Sequence, residues 1–344
     1  MLMSNAIKSA IIGCGMIADT HLTALRDAEA DVLGVFDQNG ERAASFAEAH
    51  GIRAYASLEE LLSKDAELVS VCTPSGTHAD LAETILFRGK DAVVEKPLAL
   101  TVPECARILE AERKTGRFCA PISQFRFSGV YESVKKAVEE GAFGRMILGL
   151  LSMKYYRSPS YYAGSWRGTK KMDGGGALMN QGIHGLDMMF GLMGYPVSVA
   201  GNAATLFHDI EVEDTATASL VFPDGALGVI DGTTAVLHSR PRRLELCGTK
   251  ASVTLEEDSI VSADGLPLSV TPGTDQKSCA DPRAITTGLH ERQFRNILAA
   301  AADEEPLRYT AHDAMRTVAV INAVYESSRT GKAVVLPADP VSRE

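Results

Sequence analysis

The chain is 344 residues long, 45% apolar and 23% charged, with a formal net charge of -10. Its length exceeds what one hydrophobic core usually fills, so two domains are expected, and its apolar content excludes a disordered chain. The acidic balance argues against nucleic acid or an anionic membrane as partner, since either demands a basic face. Cys14, Cys72, Cys105, Cys119, Cys247 and Cys279 form no C-x-x-C pair and no zinc-ligand spacing, and several fall inside apolar runs. They read as reduced core residues of a cytoplasmic protein. The opening MLMSNAIKSAIIGCG lacks a charged segment ahead of a long apolar stretch, and no apolar run reaches about eighteen residues, so neither a signal peptide nor a membrane span is expected.

Residues 6–12 (AIKSAII) read as a short buried strand that runs straight into Gly13-Cys14-Gly15-Met16-Ile17-Ala18 and a helix-like ADTHLTALRDA. This is the strand, glycine turn and helix start of a dinucleotide fold, with Ala18 in the third glycine's place. Gly13 allows the tight turn. Gly15, with Met16 and Ile17 after it, lets the backbone approach a pyrophosphate lying on the helix N-terminus. The next strand, 32–36, ends in Asp37, whose carboxylate would accept both ribose hydroxyls and repel a 2'-phosphate, so NAD is favoured over NADP. Arg42 is expected on the solvated face of the helix that follows. Residues 68–72 form the next buried strand, closed by Thr73-Pro74-Ser75, whose backbone N–H groups lie near where a cofactor ribose passes. His78, in the first turn of the following helix, either faces the cofactor or caps and packs.

The apolar run Ala92-Val93-Val94 then ends in Glu95-Lys96-Pro97. Lys96 therefore leaves the sheet at its carboxyl end, where ligands bind in open α/β sheets, and Pro97 keeps its backbone extended. A lysine beside a dry pocket loses basicity readily, which makes Lys96 a candidate for proton transfer near neutrality; the alternative is a solvated lysine at a strand end. A helix opening near Pro103 and a last strand at 118–122 complete a doubly wound parallel sheet, an NAD(P)-binding Rossmann domain over residues 1–122.

From residue 123 the pattern changes. A helix at 131–141 leads to strands at 144–151, 196–207, 214–223, 225–237, 242–247 and 251–261, with turn signals such as Pro223-Asp224-Gly225 between several of them. Successive strands on short turns imply an α+β domain over 123–344 with a large, mostly antiparallel open sheet. One face of that sheet is free to meet another subunit, as in a homodimer or homotetramer. Residues 264–284 read as loop, two helical stretches follow at 289–303 and 311–331, and AVVLP ends the pattern as a short strand.

Ahead of that sheet lies DGGGALMNQGIHGLD, residues 173–187. With a helix from Ala177 onward, Asn180, His184 and Asp187 share one face. Three polar groups on a stripe beside Leu178, Met188 and Met189 point to a site; the alternative for His184 is a satisfied interior histidine. No metal is expected there, because the ligand types and spacing are poor. Tyr156 and Arg157, in the aromatic and basic stretch 154–168, are candidate substrate contacts, since rings stack on pyranose faces and Arg binds hydroxyls or carboxylates. The tyrosines would equally suit the seam between two domains.

The order GCGMIA, Asp37, CTPSGTH, EKP and DGGGALMNQGIHGLD resembles the glucose–fructose oxidoreductase and inositol dehydrogenase (Gfo/Idh/MocA) family of NAD(P)-dependent sugar oxidoreductases. The likeness runs across nearly the whole chain, through IEVEDTATASLVF (210–222) to AVVLP. It implies that Lys96 is the family's active-site lysine and that His184 is the acid or base on the substrate. It further implies that Glu95, Gln124, Trp166 and Arg167 reach the cofactor or the cleft. Inositol dehydrogenases of this kind commonly carry an aspartate where Asn180 stands, which argues against an Asp-His relay here; nucleotide-sugar dehydrogenases often carry Asn-Gln.

The activity expected is reversible hydride transfer between a secondary hydroxyl of a sugar, cyclitol or nucleotide-sugar and nicotinamide. His184 would take the hydroxyl proton, Lys96 would stabilise alkoxide character, and Asn180 and Asp187 would orient the substrate or the imidazole. Two alternatives remain open. One is an NAD-dependent redox-neutral glycosidase, distinguished by released aglycone without NADH. The other is a non-catalytic NAD-binding regulator, a class that tends to lose the lysine or histidine retained here.

Overall fold

The computed structural model describes residues 6–271 and 287–337, so Cys279 and most of the loop expected at 264–284 lie outside the described residues. The chain divides into two compact units, 1–124 with 285–315 and 125–284 with 316–344. The expected boundary at 122–123 lies close to the first crossing. The return of 285–315 to the first unit has no counterpart in the sequence reading.

The first unit opens with β1 (Lys8–Ile12), α1 (Ala18–Asp27), β2 (Asp31–Phe36), α2 (Gly40–His50), β3 (Arg53–Ala54) and α3 (Leu58–Leu62). It continues with β4 (Leu68–Val71), α4 (His78–Phe87), β5 (Asp91–Val94), α5 (Val102–Thr115) and β6 (Cys119–Pro121). The strands are all parallel, in the order β3-β2-β1-β4-β5-β6. That is the Rossmann order, in which ligands lie outside the carboxyl ends where the winding reverses, between β1 and β4. Every residue of β4 and β5 is buried, as strands covered on both faces require. Helix α5 starts at a capping box in which Thr101 and Glu104 satisfy each other's backbone N–H groups, and it stops at Gly116 in the left-handed region.

On α5, Glu112 accepts the backbone N–H of Cys119 at 2.7 Å, and burial pushes its carboxyl up to about 7. With the folded value raised, the native chain holds a proton that the unfolded chain has already released. Stability is therefore lost as pH rises from the usual 4.5 through about 7. Glu112→Gln, which keeps the acceptor, is expected to unfold at higher urea than the wild type at pH 8 and to lose that advantage by pH 5. Equal midpoints at both pH values would refute the shift.

The second unit holds α6 (Gly129–Glu139), β7 (Met146–Lys154), α7 (Pro159–Tyr162), α8 (Ile183–Met193), β8 (Ser198–Ala204), β9 (Thr215–Val221), β10 (Leu227–Thr233), β11 (Arg243–Gly248), β12 (Ser252–Glu256) and β13 (Ser259–Asp264). Helix α9 (Thr287–Ala301) belongs to the first unit, where Phe294 and Ile297 enter the core that also holds Leu22 and Leu25 of α1. Helix α10 (Ala311–Thr330) and β14 (Val334–Val335) follow. The eight-stranded sheet runs β13-β12-β11-β7-β10-β9-β8-β14, and only the β7/β10 pair is parallel.

The single strand expected at 251–261 is the hairpin β12/β13 instead. It turns at Glu257, which takes φ 48° without a glycine to announce it. Strand β9 alternates inward and outward residues, so one sheet face is buried and the other carries Val221, Leu227 and Val229, exposed by 40%, 53% and 44%. No helix among the described residues is long and apolar enough to cross a membrane.

Candidate active site

In the first unit the glycine turn leaves β1 and is held to the end of β2 by Gly13 N–H donating to Phe36 O at 2.7 Å. Gly13 has φ 93°, and a Cβ there would lie 2.8 Å from Cys72 O, so no other residue fits. At Gly15 the nearest atom to an added Cβ is Cys72 O at 3.9 Å, which leaves the backbone open to a ligand. Met16 is half exposed above the turn, while Ile17 packs against the core.

Asp37 accepts N–H groups from Cys14 at 2.9 Å and Asn39 at 2.8 Å. Its carboxylate keeps acceptor capacity for two hydroxyls. A hollow lined by Phe36, Asp37, Ala54, Tyr55 and Ser57 opens beside it. Arg42 is solvated as expected, yet its guanidinium lies 3.6 Å from Asp37. The turn geometry and this carboxylate together fit a dinucleotide.

Around β4 and β5 the structure separates residues that face outward from residues that hold the frame. Thr73, at the end of β4, shares a hydrogen bond with Thr77 at 2.7 Å, and Ser75 is buried in the short turn after Pro74. His78 is buried, with Nδ1 2.7 Å from Pro97 O and Nε2 2.9 Å from Thr73 O. Burial lowers its basicity against the pull of those carbonyls. Of the two roles expected for His78 the structure shows packing, because the buried ring lies between the carbonyls of the Thr73 turn and the Lys96–Pro97 turn and donates to one of them.

Glu95 is also buried. Its Oε1 meets His21 Nε2 at 3.0 Å, and its Oε2 accepts Lys96 N–H at 3.0 Å. Burial opposes its charge, but the hydrogen bond from His21 and the neighbouring imidazoles outweigh it and hold the carboxyl well below the usual range. Glu95 therefore anchors the backbone of Lys96, which itself is only partly buried. Gln124 ends the first unit's continuous stretch, with Oε1 buried and without a hydrogen-bond partner.

In the second unit, the helix expected from Ala177 begins as a π-turn, Ala177–Gly182, and becomes α-helical only at Ile183. Its N-terminus is capped by Glu213, whose carboxylate accepts N–H groups from Gly176 and Leu178, each at 2.9 Å, and the hydroxyl of Tyr325 at 2.8 Å. Gly176 passes so close that an added Cβ would stand 2.0 Å from Glu213 O. The wider turn changes the spacing from Asn180 to His184, whereas His184 and Asp187 keep the α-helical spacing.

Asn180 donates instead to Asp173, and its Oδ1 accepts from Gln181 at 3.0 Å. Gln181 Oε1 accepts from Arg157 at 2.7 Å, and Arg157 stacks between Tyr155 and Tyr161 at 5.5 and 5.6 Å. The Nε of Arg157 is buried with no hydrogen-bond partner. Arg167 lies over Tyr161 and Trp166, at 4.9 and 4.8 Å, while Tyr156 donates its N–H to Ser239. The half-buried His184 ring meets Phe125 edge-on at 5.4 Å. Asp187 is buried and held by Arg126 through two bonds of 2.8 Å, so its carboxylate anchors α8 and the role of orienting substrate or imidazole does not fit it.

The profile of the oxidoreductase family with an NAD-binding Rossmann fold matches residues 7–122, and that of the GFO/IDH/MocA C-terminal domain matches residues 131–254. The chain belongs to the Gfo/Idh/MocA family. It is an NAD-binding oxidoreductase. Among curated relatives it is 27% identical to D-apiose dehydrogenase of Paraburkholderia graminis, over 96% of this chain and 89% of that one. It is also 27% identical to myo-inositol 2-dehydrogenase of Thermotoga maritima, over 75% of this chain and 78% of that one. Among solved structures, WlbA dehydrogenase of Bordetella pertussis, in complex with NADH and UDP-GlcNAcA, superposes with a TM-score of 0.87 at 27% identity, over 97% of this chain and 100% of that one.

Sequence reasoning about this Gfo/Idh/MocA chain missed Glu213, Asp173, Gln181 and Arg126 as residues that shape the helix of His184. Asp173 and Gln181 stand in the motif but carry no spacing signal of their own, while Glu213 and Arg126 act across 37 and 61 residues of chain and leave no periodic signal. It also missed His21, which sits in plain view in α1 but has no local partner.

Proposed function

We propose that this oxidoreductase transfers hydride between NAD and a secondary hydroxyl of a sugar, cyclitol or nucleotide-sugar, with Lys96 and His184 handling the hydroxyl proton. The likeness over nearly the whole chain to a dehydrogenase captured with NADH and UDP-GlcNAcA carries this reading. Bound nicotinamide supplies the hydride acceptor. The hydroxyl must lose its proton as the hydride leaves. His184, its ring supported by Phe125, is the base, and the Lys96 ammonium stabilises the developing alkoxide. Asn180, bonded to Asp173, orients substrate without adding a carboxylate to the imidazole. Arg157, with its buried unpartnered Nε, and the stacked Arg167 suit an anionic sugar within this class.

The test is a panel of pyranoses, inositols, neutral UDP-sugars and UDP-sugar uronates incubated with NAD. Absorbance of NADH is expected with a member of the panel. Aglycone release without NADH would overturn the reading. For the cofactor, Asp37→Ala is expected to weaken NAD binding about tenfold and to ease NADP binding, because it removes both the ribose acceptor and the charge that repels a 2'-phosphate. Equal loss for both cofactors would count against that role of Asp37. The apolar outer sheet face supports a homodimer or homotetramer, and the unpaired cysteines among the described residues suit the cytoplasm.

A further inference from the structure

His21, Glu95 and His290 come from α1, the end of β5 and α9, and are exposed by only 0%, 7% and 1%. Glu95 Oε1 lies 3.0 Å from His21 Nε2 and 3.9 Å from His290 Nε2, and one donor atom from each residue falls within 4.8 Å of the others. His290 is the anomaly, since neither ring nitrogen has a hydrogen-bond partner although the ring is buried. An imidazole in the interior ordinarily satisfies at least one nitrogen, and an orphan of this kind calls for a missing partner.

We propose that His21, Glu95 and His290 bind one divalent transition-metal ion of the zinc class inside the first unit. Two nitrogens and one carboxylate oxygen suit zinc and its neighbours, whereas magnesium and calcium prefer oxygen alone. Donors bound to one tetrahedral ion at about 2.0–2.2 Å stand about 3.3 Å apart. The spacings to Glu95, 3.0 and 3.9 Å, bracket that value, and tilting the His290 ring inward closes the set.

The surrounding hydrogen bonds are those expected around metal ligands. Glu95 Oε2 already accepts Lys96 N–H, and His21 Nδ1 lies 2.6 Å from Ser70 Oγ. A hydroxyl both donates and accepts. With the ion present the His21 proton therefore moves to Nδ1 and donates to Ser70, freeing Nε2 for the metal, and no net proton is lost from the ring. Phe294, edge-on to His21 at 5.2 Å, walls the site. The ion would fasten α9, which returns to this unit from late in the sequence, to the strand end that carries Lys96.

The test uses the full, untagged chain, treated with chelator and then titrated with zinc or cobalt(II). Expected results are one zinc per chain by elemental analysis, visible cobalt bands, a melting temperature that rises with zinc, and X-ray absorption with two imidazoles and a carboxylate. In His290→Leu, or His290→Gln where the first does not fold, affinity is expected to fall at least about a hundredfold. A chain without bound metal or cobalt bands overturns the proposal, as does unchanged affinity in a folded His290 variant. The absorption spectrum of the wild type decides where neither variant folds. These readouts are independent of NAD binding and turnover.

Discussion

Lys96→Ala is expected to lower turnover by at least about a hundredfold while NAD still binds, as for a group engaged in the chemical step. The substitution removes the ammonium and leaves the frame in place, because the link to Glu95 uses the backbone N–H of residue 96, which alanine retains. The dinucleotide features, Gly13, Gly15 and Asp37, follow other strands, β1 and β2. A loss confined to kcat would mean that the amine acts in the transition state; a rise in KM alone would make it a binding group. The measurement is steady-state turnover with a sugar from the panel, beside an NAD titration of the same variant. Normal turnover would remove Lys96 from the mechanism.

What could be read from the sequence is what local chain geometry decides. The glycine turn, the acid ending β2 and the lysine ending β5 each follow a short apolar strand, and burial of those strands fixes where their ends emerge. The parallel, doubly wound character of the sheet followed from the alternation of strands with helices. Features that depend on distant partners were not legible. Nothing near Ala177 announces a π-turn, and the carboxylate that caps it at the N–H groups of Gly176 and Leu178 stands more than thirty residues later. The chain keeps the regular helical period from His184 to Asp187 but not across the π-turn that holds Asn180. Likewise α9 has the amphipathic pattern of any surface helix, and only contact with α1 assigns it to the first unit. The β12/β13 hairpin was hidden because Glu257 takes a conformation that glycine or asparagine usually marks.

Arg126→Leu is expected to destabilise the second unit by about 3 kcal/mol or more, since removing one partner of a buried ion pair strands the other charge. Asp187 is buried, and Arg126 meets it through Nε to Oδ2 and a second nitrogen to Oδ1, both at 2.8 Å; that second nitrogen also donates to Asp187 O at 3.0 Å. A third nitrogen donates to the Tyr131 hydroxyl at 3.1 Å, which joins α6 to the same anchor. With leucine at 126 the buried carboxylate is left without its ion partner, and α8 loses the clamp that fixes the turn below His184. The double variant Arg126→Leu with Asp187→Leu is expected to recover much of the loss, because it leaves no unpaired charge. Urea unfolding of the three proteins measures this, read on a probe in the second unit since two units need not unfold together. A double variant no more stable than Arg126→Leu would mean that the stranded carboxylate is not the source of the loss. The pair would then act through packing around Gly191, where Arg126 and the Tyr131 hydroxyl already lie within 2.3 Å of where a Cβ would stand.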